Sequence, residues 1–581
     1  MNELATKVAN RVLARIIVDW YAFYEVPSAP DLVDHVVGVI RTLATGFQNM
    51  RLKTVLLPSI LMMALPGLAH AATYTVGPSG KQYTQLSAVF SSKNLNPGDI
   101  IEVEGNATYN GGIVVGSDDS GTAASPVIIR WRPGSSGSRP VLQGGTNTIK
   151  FQQSNNIVFE GFDVRGGTNT CIFSEADNVT VRDAVIHDCP GHGILAADQL
   201  SGSFTLEYSE IYNAGASSNR HPIYMQSDEV AFPNAVFKMR FNYLHDGKGG
   251  NLVKVRHQRS EIYYNWLEGS AYQALEFIGP DCYEQQAGWN VNLKREDADV
   301  VGNVIVQSGS WANAVRMGGD LNGRSQGRVR MVNNTILFTR SGTANAVMVQ
   351  LGAESLEMHN NIVYQTTAGG KPTMVKENVV DDTPEPCSPQ STSPWSSGRK
   401  VAGSYNWVQT GAVVPSEWRN TLTGANPGLA NVATYSLRPL ATSLLVGAGA
   451  NPPAVSTAFP FPSPLAIPLY DPPVRAKMAP TAARARTLSA ARISLGAFEV
   501  AAGGTTPGQT IRVAGSQPLL SGQVGSATVT AQALPASAAA IDGGVRNRGA
   551  FGSRKFAKAT LADGSVRTCQ LLETGLVCRN D

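Results

Sequence analysis

The sequence carries little charge for its length: Asp, Glu, Lys and Arg make up 16% of 581 residues, and the formal net charge is +3. With no dense Lys/Arg tract outside short clusters, that balance argues against a nucleic-acid partner. Aromatic residues are sparse at 7%, and there are six cysteines, no two of them at metal-knuckle spacing, which argues against zinc. No apolar run is long enough to cross a bilayer comfortably. Helical periodicity is missing from the central part of the chain. Asn-Gly hairpin turns are scarce between its strand-like runs, which disfavours an antiparallel sandwich. What remains is a chain 43% hydrophobic and rich in glycine, at 58 residues, with an uncharged polar surface and many short strands.

A short phrase recurs from about residue 155: a β-rich run, a polar residue, then two or three apolar positions. "NIVFEGFDV", "NVTVRDAVI", "FTLEYSEIY", "FKMRFNYLHD", "EIYYNWLEG", "DVVGNVIVQ", "VRMVNNTILF" and "LEMHNNIVYQ" anchor it at Gly161, Asp183, Ser209, Asn242, Asn265, Asn303, Asn334 and Asn361. The gaps are 22, 26, 33, 23, 38, 31 and 27 residues, as expected of a coil of constant circumference with loops of variable length. A second strand series lies between the phrases: "HGILAAD", "HPIYMQS", "NLVKVRH", "QALEFIG", "NAVRMGG" and "NAVMVQL". Two strand series per repeat with alternating polarity predict an all-β fold, a parallel β-solenoid. Ile194, Ile223, Val253, Leu275, Val315 and Val347 would stack as one inward ladder, with the recurring Asn side chains at coil corners.

The ends read differently. Residues 50–71 combine Arg51 and Lys53, a short apolar run and Ala69-His70-Ala71, the layout of a secretory signal cleaved after Ala71. Met50 is then the expected start, with residues 1–49 an upstream extension, and the mature protein is expected to be secreted or periplasmic with no stable membrane span. The solenoid is expected over 72–500, opened by an amphipathic capping helix at about 84–93 that shields the core and strand edges. Its pattern loosens after residue 370. Residues 501–581 form a small appended segment of unknown role. Export permits disulfides. Six cysteines can pair in fifteen ways, and proximity favours Cys171–Cys189 and Cys569–Cys578, leaving Cys282–Cys387.

"YTVGPSGKQYTQLSAV", "PGDIIEVEGNATYNGGIVV", the coils through "HNNIVYQ" and the terminal "LGAFE" resemble the right-handed parallel β-helix proteins of the pectate-lyase-like superfamily, over roughly residues 72–500. Within it, "HDGKGGNLVKVRHQRSEIYYNWLEGSAYQALEF" is most similar to alginate lyase and chondroitinase-B type enzymes. Aligned on Tyr264-Asn265, the resemblance puts that group's catalytic Lys at Arg256, with Lys254 on the same face. The group's Arg falls near Phe277, with Arg316 one coil later. What the resemblance implies is a polysaccharide-active protein.

The fourth position of the second strand series reads Leu195, Tyr224, Lys254, Glu276, Arg316, Met348. These side chains are expected to face solvent on consecutive coils about 4.8 Å apart, with Gln226 and Arg256 two residues further along. β-Elimination from a uronate needs a cation to neutralise the carboxylate and a base to take the C5 proton. Lys254 or Arg256 is the candidate base, Arg316 the carboxylate partner, and Tyr224 or His257 the proton donor to the leaving oxygen. Glu276, His221, Gln226 and Asn313 are candidate substrate contacts, with Glu276 either orienting Lys254 or ligating calcium. No metal site is assigned and no cofactor is fixed by the sequence. Calcium is the one cofactor the chemistry would admit, at Asp118-Asp119 or Asp228-Glu229. The expected partner is an acidic polysaccharide and the expected state a monomer. A uronate epimerase, a glycoside hydrolase needing two flanking carboxylates, and a non-catalytic polysaccharide-binding or adhesin β-helix are the alternatives.

Overall fold

A computed structural model of the chain describes residues 71–134, 137–279, 296–319, 327–378 and 393–500, with the backbone of short strands beyond residue 508. The upstream extension, the signal segment up to residue 70 and the expected Cys282–Cys387 pair lie outside the described residues.

Three parallel sheets wind the chain into a right-handed β-helix, the hand that parallel crossovers almost always take. Sheet 1 has 12 strands, from Thr73–Val76 to Val401–Ser404. Sheet 2 has 12, from Thr108–Asn110 to Leu422–Gly424, and sheet 3 has 10, from Ile113–Val115 to Thr373–Asn378. One coil shows the route: Ile157–Glu160 in sheet 1, Asp163–Arg165 in sheet 2, Thr170–Glu175 in sheet 3, then Val179–Arg182 back in sheet 1. Helix α1, Ser87–Ser92, is shorter than the amphipathic pattern predicts. Leu86 and Val89 join the core at the first coils.

The inward ladder forms in the expected register, Ile194 on Ile223, Val253, Leu275, Val315 and Val347, every one of them fully buried. Each buried Leu, Ile or Val contributes roughly 1.5–3 kcal/mol relative to exposure, and coil stacking repeats that gain. The disulfide Cys171–Cys189 closes one coil, joining a sheet 3 strand to a sheet 2 strand. Farther on, the backbone pairing sets Cys569 opposite Cys578 in a four-stranded antiparallel sheet over Asp542–Arg579.

At the corner between sheets 1 and 2 the Asn side chains form a continuous ladder. Each Nδ2 donates to the next coil's Oδ1: Asn242 to Asn265 at 3.0 Å, Asn265 to Asn303 at 3.0 Å, Asn303 to Asn334 at 3.0 Å, Asn334 to Asn361 at 2.9 Å. Asn406, which the recurring phrase did not reveal, adds a last rung at 3.0 Å. Burial is complete along this ladder, and every amide also bonds backbone, so no polar group is left orphaned. The pairing of Glu160, Arg182, Glu207 and Arg240 shows that the anchors Gly161 and Asp183 fall one residue early. Those two residues belong to the preceding column, where the chain turns through positive φ, as Tyr208, Phe241 and Tyr264 also do.

Past residue 370 the coil does not end. Val401–Ser404 extends sheet 1, and Trp407–Gln409 and Leu422–Gly424 extend sheet 2, hidden in sequence by Pro/Gly/Ser-rich loops. The segment after residue 440 then runs back along the outside of the coils. It meets Asn360 through Ala450, Arg330 through Phe461 and Ser463, Tyr264 through Leu469, Phe241 through Tyr470, and Asp183 through Lys477. This strap explains the loosened pattern: its residues pack on a finished solenoid rather than build a new turn.

Candidate functional site

The outward column of sheet 3 has the register expected from sequence. Leu195 pairs with Tyr224, Tyr224 with Lys254, Lys254 with Glu276, Glu276 with Arg316, and Arg316 with Met348. Parallel strands hold successive side chains of one face about 4.8 Å apart, so five coils bring a phenol, an amine, a carboxylate, a guanidinium and a thioether into one line.

These side chains do not simply stand in solvent, as the alternation implies. Glu276 is 2% exposed and Arg316 8%, and the carboxylate is the hub of the cluster. Asn251 Nδ2 donates to its Oε2 at 2.7 Å and Gln273 Nε2 to its Oε1 at 3.1 Å. Arg316 Nη1 lies 3.0 Å from Oε1 and Lys254 Nζ 3.8 Å from Oε2. The reason is electrostatic: a carboxylate between two cations on one sheet face draws both side chains over the sheet instead of outward. Among the described residues, Glu276 thus joins a lysine and an arginine on one sheet face.

Lys254 also sits over the Tyr224 ring, Nζ 5.2 Å from its centroid. Arg256, one pleat further, donates through Nε to the Tyr224 hydroxyl at 2.9 Å and through Nη1 to the Gly279 carbonyl. Gln226 pairs in register with Arg256 and is buried. Tyr224, Lys254, Arg256, Glu276 and Arg316 therefore form one connected cluster.

Two further positions lie beside it. His221 presents its ring edge-on to Tyr224 at 5.5 Å, and its Nδ1 accepts the Asn251 backbone N–H at 2.9 Å. Burial and then the Lys254 charge push its pKa down to about 3, so the ring is neutral with its proton on Nε2. Asn313 borders the far end, accepting from Asn345 at 2.8 Å and donating to the Met348 sulfur at 3.4 Å.

His257 is placed elsewhere. Its side chain is fully buried, with Nε2 at 3.1 Å from the Gly202 carbonyl and the ring 5.7 Å from Phe237. Burial pushes its pKa down to about 4. The alternation of the strand itself accounts for this: Val253, Val255 and then His257 share the inward parity, whereas Lys254 and Arg256 take the outward one.

Sequence reasoning missed His192, Asn251 and Gln273. His192 Nδ1 accepts the His221 backbone N–H at 3.1 Å, repeating one coil earlier the bond that His221 makes to Asn251. Burial, then Arg220, pushes its pKa down to about 4. All three stand two residues before the inward ladder. A column read there, Asn147, Thr170, His192, His221, Asn251, Gln273, Asn313 and Asn345, would have revealed a polar rail beside the strip.

The acidic turns have local duties. Asp228 accepts backbone N–H groups from Leu200, Val230 and Ala231, and Asp119 from Leu95 and Gly116. Burial, then Glu296 and Asp228, pushes the Glu229 carboxyl up to about 9, so it is a neutral acid at pH 7. Among the described residues no group of three or more His, Cys, Asp or Glu side chains converges as metal ligands.

The three sheets and the cationic strip define the class: a parallel β-helix protein with a polar cluster on one outer face. No family model matches the chain, and no curated protein does either. Solved structures similar to it include an alginate lyase from Paenibacillus sp. str. FPU-7, at 18% identity over 58% of this chain and 96% of that one, TM-score 0.33. The A-module of the Azotobacter vinelandii mannuronan C-5 epimerase AlgE6 is similar at 14% identity over 57% and 91%, TM-score 0.34. The PL6 family alginate lyase AlyGC is similar at 13% identity over 60% and 53%, TM-score 0.34.

Proposed function

We propose that this protein is a polysaccharide lyase that cleaves a uronate-containing chain by β-elimination on the outer face of sheet 3. The observation that carries this reading is one connected cluster from four consecutive coils, in which Lys254 and Arg316 flank the buried carboxylate of Glu276 and Tyr224 joins Lys254 to Arg256. Arg316 draws in the substrate carboxylate and so acidifies the C5 proton. Lys254, held by Glu276, gives its own proton to solvent as the polymer binds, and the free amine then removes the C5 proton. As the C4–C5 double bond forms, the bond from C4 to the glycosidic oxygen breaks, and the Tyr224 O–H protonates the leaving oxygen. Arg256 stays charged throughout and stabilises negative charge developing on the phenolic oxygen it already contacts. No step is routed through calcium.

Hydrolysis fits less well, because among the described residues the neighbours of Glu276 are two amides and two cations rather than a second carboxylate. Export is part of the proposal, supported by the signal layout and by the Cys171–Cys189 bond, which suits an oxidising compartment. The test is the ultraviolet absorbance of the unsaturated uronate across a panel of polyuronates and glycosaminoglycans. Wild type is expected to generate it on at least one acidic polymer, and Lys254→Ala to abolish it while still folding cooperatively, with a lowered thermal midpoint because Glu276 loses a partner. Absence of product on every acidic polymer, or full activity of Lys254→Ala, overturns the reading.

A further inference from the structure

We infer that Tyr272 and Trp311 form a stacking platform for a sugar ring at the rim of the strip, extending the site beyond the reacting residue to a neighbouring residue of the chain. This rests on the reading that the strip takes an acidic polysaccharide. The two rings lie on successive coils, on the turns that lead into sheet 3, with centroids 5.0 Å apart and planes within 10° of each other. Tyr272 directly precedes Gln273, which holds Glu276. Trp311 stands two residues before Asn313 and five before Arg316. Trp311 is 38% exposed and is the one aromatic side chain among the exposed large hydrophobics of the described residues.

An exposed ring on a loose turn would be unremarked surface, but this turn is braced. Gln307, fully buried, donates through Nε2 to the carbonyls of both Tyr272 (2.5 Å) and Trp311 (3.0 Å), while its Oε1 accepts from Ser270 at 3.1 Å. Ser310 bonds the Ala271 carbonyl through both its N–H, at 2.9 Å, and its hydroxyl, at 3.1 Å. Gly309 lies so close that a Cβ there would sit 2.1 Å from the Tyr272 carbonyl. One buried amide thus fixes both backbone positions and holds an apolar surface in water beside a cationic strip. A pyranose ring matches that pairing of surfaces: its C–H face lies on an aromatic plane while its carboxylate reaches a cation. A rigid aromatic surface also loses little entropy on binding.

The test is isothermal titration with defined oligouronates, combined with steady-state kinetics on the polymer. Trp311→Ala and Tyr272→Ala are each expected to weaken binding roughly five- to tenfold, which corresponds to about 1–1.4 kcal/mol. Their thermal midpoints are expected to be unchanged, with KM raised and kcat preserved. Trp311→Phe, which keeps a ring, is expected to lose less. A ligand-induced change in tryptophan fluorescence is expected in wild type and absent in Trp311→Phe. If the double variant Tyr272→Ala/Trp311→Ala binds within twofold of wild type, or if wild type binds no oligouronate, the platform is overturned. If no unsaturated product forms but binding and its loss in these variants persist, the lyase reading falls and the platform stands.

Discussion

Replacing Glu276 by Gln separates a working strip from an ornamental ladder of surface ion pairs. The carboxylate lies 3.0 Å from Arg316 and 3.8 Å from Lys254, at 2% exposure. Removing one partner of a buried pair costs about 3–5 kcal/mol. Glutamine keeps an acceptor for Asn251 or Arg316, so the expected loss is near the lower end, about 3 kcal/mol, read as a lower urea midpoint. The same change removes a negative charge from the floor of the groove. A uronate bound one or two coils away is about 5–10 Å from it, where a unit charge is worth on the order of 1 kcal/mol after screening. Polyuronate binding should therefore tighten about fivefold in a protein that is less stable. Turnover should drop by at least about a hundredfold, because Lys254 and Arg316 lose the group that aims them. Denaturation curves, isothermal titration and product absorbance on the same preparation give all three numbers. Unchanged stability would refute the buried hub, and weaker polyanion binding by a folded Glu276→Gln would refute the groove.

Three further outcomes follow from the same contacts. Asn303→Ala removes an amide whose Oδ1 serves the Asn265 N–H and side chain and whose Nδ2 serves Ile262 and Asn334; at about 1–3 kcal/mol per stranded buried group, a loss of at least about 3 kcal/mol in urea unfolding is expected, and a loss below 1 would contradict the ladder. His192, His221 and His257 have folded pKa values below the unfolded value, so the stability of their neutral forms is present above about pH 6.5 and lost as pH falls toward 4. His187 works in the opposite direction: against burial, Asp163 and Asp188 raise its pKa, so its contribution is lost as pH rises. His221→Asn, which copies the next rung of the rail, should blunt the acid-side fall in thermal midpoint, and an unchanged profile would contradict the assignment. Glu229 must take up a proton to fold once pH exceeds its unfolded value, so Glu229→Gln should raise the urea midpoint more at pH 8 than at pH 5; the reverse order would show that the carboxyl is ionised.

Much of this was legible because a coil repeats its own register. Ile194, Ile223 and Val253 could be stacked from sequence since each heads an alternating strand of the same series, and the outward column Tyr224, Lys254, Glu276, Arg316 followed one residue later. The Asn ladder was visible for the same reason, and it slipped by one residue at Gly161 and Asp183, where no amide marks the rung. What period could not show was the third dimension of the side chains. Glu276 draws Lys254 and Arg316 over the sheet, an effect of charge rather than pleat. His257 was within reach of the period, since it shares the inward parity of Val253 and Val255. The strap after residue 440 was opaque, because its contacts reach back to Asp183 and Arg330, far away in sequence.

The most direct measurement is a crystal structure of the Lys254→Ala protein with a bound acidic oligosaccharide. The account predicts a chain lying along the stack of coils on sheet 3, one carboxylate on Arg316, its C5 facing residue 254 and a neighbouring ring on Trp311. A chain seated on sheet 1 or sheet 2, or lying over sheet 3 with its carboxylates turned away from Arg316, would contradict it.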